Sequence, residues 1–361
     1  MEENKIRVAI THGDTNGTGY ETIFKTFAEP AFLELCTPII YGSPKIAAYH
    51  RKNLDMQANF SIISKASDAR DDRVNMLTCF DEEVKVDIGT PTPASAKAAQ
   101  KAVDRALEDF NQGLFDVLVT LPDCSAESSA DTSQLSQNQR IEHAQGFDGK
   151  GLIIHVNDSL RIASVTGDMP LGDALREIRK DLIVEKATVL HQSLRRDFRL
   201  SNPRIAILQI NPQPGAEEEE ILKPAINELH NAGVGVYGPY PADEFFSNYN
   251  HTKFDATLAM YHNQAMMPLR MLDEQGRTLL NAGLPLVHTA PGTTPQFDIA
   301  GKGVADESAL RNAIYLAIDT FRHRTDYDEP LANPLKKLYH EKRDDSEKVR
   351  FAIPKKHEQG S

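Results

Sequence analysis

The chain has 361 residues, more than a single hydrophobic core normally supports, so we expect two domains. Its formal net charge of −12 argues against a general nucleic-acid binder or a protein of anionic membrane surfaces. The scattered cysteines Cys36, Cys79 and Cys124 indicate reduced thiols, and no signal peptide or membrane-spanning run is recognisable, so we expect a cytoplasmic protein.

The first predicted elements are strands and helices in alternation. Strand Ile6–Ile10 leads through a glycine-rich turn into a helix at about Tyr20–Ala28, and strand Pro38–Tyr41 precedes helix Lys45–Lys52. This order is typical of a parallel α/β sheet. The turn, Thr11–Glu21, matches neither the dinucleotide-binding fingerprint nor a P-loop, so it could hold an anion or simply be a tight turn.

The middle of the chain continues this rhythm. Apolar residues at helical spacing predict a helix over Ala94–Gln112, and Asp116–Leu121 reads as a buried strand. The polar segment Ser125–Gln139 has few apolar anchors, which indicates a mobile or surface segment. Strands Leu152–Val156 and Leu160–Thr166 are predicted to form a hairpin.

The remaining elements also alternate. We predict the helices Leu171–Lys180, Val184–Phe198, Ile221–Ala232 and Glu307–Arg322, and the strands Arg204–Gln209, Val234–Tyr237 and Ala256–Met260. Four acidic residues, Glu217–Glu220, suit the first turn of a helix better than a metal site. Leu279–Val287 and Gln296–Gly301 read as extended or loop-like, and the chain beyond Pro330 reads as a charged tail.

One stretch, Asp255–Arg270, carries the densest set of candidate functional groups. Its short apolar strand ends in Tyr261, His262, Asn263 and Gln264. Ligands of parallel α/β proteins commonly bind just beyond the carboxyl ends of strands. His262 could therefore bind a metal or transfer a proton there, or it could belong to a structural hydrogen-bond network.

Several motifs together resemble one family. They are, in chain order, GDTNGTGYE at Gly13–Glu21, DVLVTLP at Asp116–Pro122, LRIASVTGDMPL at Leu160–Leu171, NPRIAILQINPQPG at Asn202–Gly215, DATLAMYHNQ at Asp255–Gln264 and FDIAGKGVAD at Phe297–Asp306. The chain resembles the 4-hydroxythreonine-4-phosphate dehydrogenases of vitamin B6 (pyridoxal phosphate) biosynthesis. The likeness runs from residue 6 to about residue 325.

The resemblance implies a two-domain α/β/α fold like that of the isocitrate and isopropylmalate dehydrogenases, with the active-site cleft between the domains. It implies a first domain of residues 1–130 plus 300–330, a second domain of 131–299 with the dimer contacts, and a charged tail of 331–361. It also implies a homodimer that uses NAD or NADP and a divalent metal (Zn, Co, Mg or Mn). The expected reaction oxidises a small phosphorylated hydroxy acid, which then loses carbon dioxide.

The family pattern has three metal-binding histidines, and this chain keeps one of them. The corresponding positions are Asp168, Gln213 and His262, so the resemblance implies a metal site of one carboxylate, one amide and one imidazole. Oxygen ligands in place of imidazoles shift the preference from zinc or cobalt toward magnesium or manganese. Asp168 and His262 are also the candidate catalytic residues.

Other positions implied by the resemblance contact the substrate or the cofactor. The candidate substrate-binding residues are Asp14, Asn138, Gln139, Arg270 and His288. The candidate cofactor-binding residues are Thr293, Thr294 and Asp298. Arg270 and His288 stand where the family has a lysine and an arginine, and the lysine of the family's PxxK segment is absent from Pro122–Ser125.

These departures leave three interpretations open. The chain could be a working dehydrogenase with an altered site, or it could act on another substrate. Alternatively, it could be a diverged paralogue that lost the native reaction and serves as a ligand-binding protein or a non-catalytic partner subunit. Each lost charge-assisted hydrogen bond is worth roughly 1.5–3 kcal/mol, so the loss of several contacts favours the last interpretation.

Overall fold

A computed structural model describes residues 5–80, 84–124, 135–272 and 276–333. Its strands are β1 (Ile6–Thr11), β2 (Cys36–Gly42), β3 (Ser61–Ile63), β4 (Asn75–Thr78), β5 (Val117–Thr120), β6 (Leu152–Val156), β7 (Arg161–Ser164), β8 (Ile205–Leu208), β9 (Val236–Tyr240), β10 (Ala256–Ala259), β11 (Thr278–Ala282) and β12 (Val287–Pro291).

The helices are α1 (Gly19–Phe27), α2 (Phe32–Leu35), α3 (Pro44–Asn53), α4 (Pro93–Asn111), α5 (Gln137–Ala144), α6 (Leu171–Glu177), α7 (Lys180–Arg196), α8 (Lys223–Asn231), α9 (Ala242–Ser247), α10 (His262–Met271) and α11 (Ser308–Ala332). Short 3₁₀ turns lie at Ala66–Asp68 and Asn250–Lys253, and a π-helical turn at Glu218–Leu222 precedes α8.

All twelve strands of the described residues join in one sheet, in the order β3-β4-β2-β1-β5-β12-β11-β6-β7-β10-β8-β9. The strands from β3 to β12 are mutually parallel, and so are β7, β10, β8 and β9. Between these groups β11 and β6 are paired antiparallel, and β6 is antiparallel to β7. The two parallel groups therefore run in opposite directions, with their carboxyl ends at opposite edges of the sheet.

Helices cover both faces of the sheet. In one half, α1 and α11 bury one face of β1 and β5 while α4 buries the other. In the other half, α7 and α8 pack on one face and α9 and α10 on the opposite face. The predicted α/β fold class is confirmed. The cysteines are free thiols, and no described helix has the length and apolarity needed to cross a bilayer.

A buried ion pair joins α11 to α7. The Arg324 side chain donates to the Asp197 carboxylate at 2.7 Å from Nε, and both side chains are almost fully buried. The same guanidinium donates to the backbone carbonyls of Leu284 and Pro285 in the turn between β11 and β12. One side chain thus connects two helices and the middle of the sheet.

Some of the predicted elements need correction. The run Leu279–Val287 is not one extended segment, because Gly283 at φ +85° reverses the chain between β11 and β12. The residues after β10 form the helix α10, which the sequence analysis missed, as it did β3 and β4. Of the predicted surface segment Ser125–Gln139, residues 125–134 lie outside the described residues, and Gln137–Gln139 begin α5. In the predicted tail, Leu331 and Ala332 still belong to α11, and residues 334–361 lie outside the described part.

Candidate active site

The glycine-rich turn after β1 holds Asp14 in a buried position. The Asp14 carboxylate, 2% exposed, accepts hydrogen bonds from the Asn16 backbone N–H at 2.9 Å and from the Ser95 hydroxyl at 3.0 Å. Burial raises the pKa of this carboxyl group, and the two hydrogen bonds act in the opposite direction. The side chain proposed for substrate binding is therefore largely engaged within the protein.

Close backbone packing explains the glycines of this turn. A Cβ on Gly13, whose φ is +69°, would lie 2.5 Å from the Pro122 carbonyl oxygen. A Cβ on Gly17 would lie 2.6 Å from the carbonyl oxygen of Pro295, which also accepts the Thr18 N–H. The turn thus fastens β1 to the loops that follow β5 and β12. This packing favours a tight turn over an anion-binding loop.

His288 on β12 belongs to a buried series of hydrogen bonds. Its Nε2 is 2.9 Å from the Thr120 hydroxyl, which in turn donates to the Gln137 side-chain oxygen at 2.7 Å. A hydroxyl has one proton to give, so Nε2 of His288 must be the donor to Thr120. Burial lowers the pKa of His288 to about 3, and its Nδ1 is buried without a partner among the described residues. His288 is 1% exposed, so the structure places it beneath the surface of the site.

Two further predicted substrate residues, Asn138 and Gln139, lie at the start of α5. Ser136 and Gln139 form a reciprocal capping box, in which the Gln139 side-chain oxygen accepts the Ser136 N–H at 2.9 Å. Gln139 therefore shapes the start of this helix, while Asn138 is half-buried beside it. Gln137, which precedes them, links the helix to β5 through Thr120.

The predicted cofactor residues follow β12 at the same edge of the sheet. Thr293, Thr294 and Asp298 are all exposed, and their hydroxyl and carboxylate groups suit the ribose hydroxyls of a nicotinamide dinucleotide. Thr293 lines a narrow crevice together with Asp14, Thr18 and Gln296. The crevice volume is only about 10 Å³, so a dinucleotide would have to lie across its mouth.

The three candidate metal ligands leave the sheet at the opposite edge. Asp168 follows β7, Gln213 follows β8, and His262 begins α10 directly after β10, which pairs with both of those strands. Asp168 and Gln213 are exposed and His262 is half-buried. The three side chains thus extend from neighbouring strand ends.

One glutamine and one glutamate hold the loops that carry the candidate metal ligands. Gln264 accepts the Met260 N–H at 2.9 Å and donates to the Gln209 carbonyl at 2.8 Å, so it ties β10 to β8. Glu218, 1% exposed, accepts from the N–H groups of Ile210, Asn211 and Gly215 at 2.7–3.0 Å. Its burial alone would raise its pKa, but these hydrogen bonds lower it overall. Glu218 therefore holds the loop that carries Gln213.

The donor set offers oxygen, oxygen and nitrogen, which magnesium or manganese accepts more readily than zinc. Within the described ranges, no three His, Cys, Asp or Glu side chains gather as a metal-binding group. A metal site made of Asp168 and His262 therefore depends on the amide oxygen of Gln213 as its third donor.

A cluster of basic side chains that the sequence did not reveal lies along α10 and the start of β11. The pKa of His155 is lowered to about 3, mainly by burial and further by electrostatic interactions with Arg277, His262 and Arg270. Of these, only Arg270 and His262 were predicted as site residues. The sequence gives no sign that Arg277 and His155 lie close together, because they are far apart along the chain. His155 lies on β6, and Arg277 directly precedes β11.

The predicted residues thus divide into two sets. Asp14 and the cofactor residues lie at the edge where β1, β5 and β12 end, with His288 further back within β12, whereas Asp168, Gln213 and His262 lie at the edge where β7, β8 and β10 end. The helix α10 runs between the edges, with His262 at its first residue and Arg270 near its end.

Comparisons with known proteins agree on one family. The model of the family "pyridoxal phosphate biosynthetic protein PdxA" matches residues 34–317. A 4-hydroxythreonine-4-phosphate dehydrogenase of Bacteroides thetaiotaomicron is 47% identical over 97% of this chain and 98% of its own length. One from Sulfurihydrogenibium sp. is 28% identical over 87% of this chain and 98% of its own. The crystal structure of the Burkholderia phymatum enzyme of that name superposes with a TM-score of 0.69 at 27% identity, covering 88% of this chain and 99% of that one.

Proposed function

This chain belongs to the PdxA family of pyridoxal phosphate biosynthetic proteins, and on that basis we propose that it is an NAD(P)-dependent 4-hydroxythreonine-4-phosphate dehydrogenase. The observation that carries the proposal is 47% identity to a dehydrogenase of that name over nearly the whole of both chains. The expected reaction is oxidation of the secondary alcohol followed by decarboxylation.

The residues of the chain would share the chemistry as follows. Bound NAD or NADP supplies the hydride acceptor, and the exposed groups of Thr293, Thr294 and Asp298 would hold it. The Asp168 carboxylate would take the hydroxyl proton as the alcohol is oxidised, and the Arg270 guanidinium would hold the anionic substrate. His262 would orient the hydroxyl group by holding the divalent metal described next.

A divalent metal is part of this proposal. Asp168, Gln213 and His262 would hold it, and when bound it supplies the polarisation of the alcohol and ketone oxygens. The exposed positions of Asp168 and Gln213 leave room for substrate oxygens to complete the coordination.

We also propose that the working form is a cytoplasmic homodimer. The two sets of site residues extend from opposite edges of one sheet, which separates them within one chain. A second copy could bring its residues to complete each site.

The test is an activity assay with purified protein, 4-phosphohydroxythreonine, NAD or NADP, and added Mg²⁺, Mn²⁺, Co²⁺ or Zn²⁺. Reduction of the nicotinamide is expected, and Asp168→Asn or His262→Ala should lower kcat by about a hundredfold or more. The matched control is His143→Ala, because His143 is exposed and pairs with Asp148 at the protein surface.

The absence of nicotinamide reduction with every metal would contradict the dehydrogenase proposal. Co-purification of this chain with a catalytic homologue would then identify it as a non-catalytic partner subunit.

A further inference from the structure

Arg277 occupies a space that only a glycine leaves open. Its backbone oxygen accepts the Gly292 N–H at 2.8 Å, which continues the β11–β12 pairing by one residue. A Cβ on Gly292 would lie 2.2 Å from Cγ of Arg277 and 2.9 Å from its Nε. The arginine side chain thus lies against the backbone just before the exposed Thr293, at the edge of the cofactor residues.

His155 shares the sheet face of Arg277. His155 on β6 lies opposite Leu279 on β11, and Arg277 is two residues before Leu279, so both side chains are on one face. The face is that of α10, because Ile162, which pairs with His155, packs with Ala265 and Met266 of that helix.

A second arginine, Arg270, lies near the carboxyl end of α10, beside the end of β6. The Asn157 side chain, just after β6, donates to the Leu272 carbonyl at 3.3 Å and so fixes the carboxyl end of α10 beside the β6–β7 turn. Arg270, two residues before Leu272, is exposed there. Among the described residues, the groups whose electrostatic interactions lower the pKa of His155 are Arg277, His262 and Arg270, although the chain as a whole carries a net charge of −12.

We propose that Arg277, together with Arg270 and His155, forms a binding subsite for a phosphate monoester group. Arginine suits this role because its planar guanidinium binds phosphate oxygens through two parallel hydrogen bonds. The inference rests on the proposed function, which supplies two sources of this group: the phosphorylated hydroxy acid, or the 2′-phosphate of NADP. The subsite adds Arg277 and His155 to the residues that bind the ligand.

The first experiment compares Arg277→Gln with the control Arg322→Gln, which removes an exposed arginine of α11. Inorganic phosphate binding is measured by calorimetry on the full-length protein, with circular dichroism to check folding. Arg277→Gln should weaken binding tenfold or more, and Arg322→Gln should leave it unchanged. Equal affinities in all three proteins, equal weakening in both variants, or no phosphate binding by the unaltered protein would each overturn the proposal.

The second experiment removes no charge. Gly292→Ala should displace the Arg277 side chain and weaken phosphate binding, and it should have no further effect when Arg277 is already glutamine. An equal effect of Gly292→Ala in both backgrounds would show that it acts without Arg277 and would contradict the subsite.

Kinetics identify the source of the phosphate group. A rise in KM for the hydroxy acid with KM for NAD unchanged assigns the subsite to the substrate, and a rise in KM for NADP alone assigns it to the cofactor. Loss of phosphate binding in Arg277→Gln, in a protein that reduces neither cofactor, would support the subsite and refute the proposed dehydrogenase.

Discussion

Burial keeps two histidines of the first half of the sheet neutral. His12 directly follows β1. Both of its ring nitrogens are buried and have no side-chain hydrogen-bond partner among the described residues, and burial lowers its pKa to about 4. His288 is neutral for the same reason and donates from Nε2 to Thr120. Among the residues that the structure describes, no carboxylate contributes to the pKa shift of either ring, so charging either ring in the folded protein is unfavourable.

Stability should therefore fall as the pH is lowered from 7 to 5. The unfolded chain binds protons at these histidines near pH 6.5, whereas the folded chain does so only near pH 3–4. In this window the unfolded state holds more protons than the folded state. The free energy of unfolding therefore decreases as the pH decreases, by roughly 2 kcal/mol per histidine at pH 5. Urea unfolding at both pH values measures the loss.

His288→Gln provides the comparison, because a glutamine amide can still donate to Thr120 but does not titrate. We expect this variant to lose less stability between pH 7 and pH 5 than the unaltered protein. Identical losses would show that His288 is protonated without cost in the folded state.

Single residues were predictable where they follow a strand and match a family motif. His262 was placed correctly at the end of a strand, although its helix was not foreseen. Arg277 could not be found in this way, because its surroundings depend on Gly292, fifteen residues away and just after β12. The sequence also did not reveal that Asp14 and His288 are buried, since burial is set by packing between distant segments.

At the scale of elements, one carboxylate organises the turn between β8 and α8. Glu218 binds three backbone N–H groups of this turn and the Asn211 side chain. Glu218→Gln should cost about 1–3 kcal/mol, because the amide keeps one acceptor and turns an N–H toward backbone donors. Chemical unfolding measures this cost.

Glu220→Gln is the matched control in the same helical turn, since Glu220 is exposed. It should change stability by less than about 0.5 kcal/mol. Equal effects of the two substitutions would indicate a general role of helix-terminal charge instead of the specific bonds of Glu218.

Elements with strong periodicity were predicted well, and those interrupted by turn residues were not. Strands β1, β5 and β8 are largely apolar runs with clear ends, and α4 has regularly spaced alanines. The helix α10 begins with polar residues and contains Pro268, features that disfavour a helix in sequence although tertiary packing of Ala265 and Leu269 supports it. The β11–β12 reversal depends on Gly283, whose positive φ the apolar run conceals.

At the scale of the whole molecule, Arg324 connects elements that lie on either side of the sheet's change of direction. Arg324→Ala should destabilise the protein by about 3–5 kcal/mol, because it leaves the Asp197 carboxylate buried without its partner. Thermal or chemical unfolding measures the change.

The double variant Arg324→Met with Asp197→Leu tests the reason for this loss. Removing both charges should recover much of the stability, since no uncompensated charge remains. A double variant as unstable as Arg324→Ala would show that the hydrogen bonds to Leu284 and Pro285 matter more than the charge on Asp197.

The α/β class followed from the alternation of strands and helices, but the topology did not. Parallel pairing in each half is what the βαβ rhythm predicts. The opposite directions of the two halves depend on β11, which the sequence analysis merged with β12. The predicted domain boundaries at residues 130, 300 and 330 stay predictions, as does the role of each site residue.

The contact between Arg277 and Gly292 also limits the order in which this site could have evolved. With any side chain at position 292, a Cβ would collide with Cγ of an arginine in this conformation. We therefore expect a glycine at 292 wherever an arginine at 277 adopts this conformation. Once the arginine is in place, the glycine can no longer be replaced without expelling it, so the two positions are expected to be inherited together.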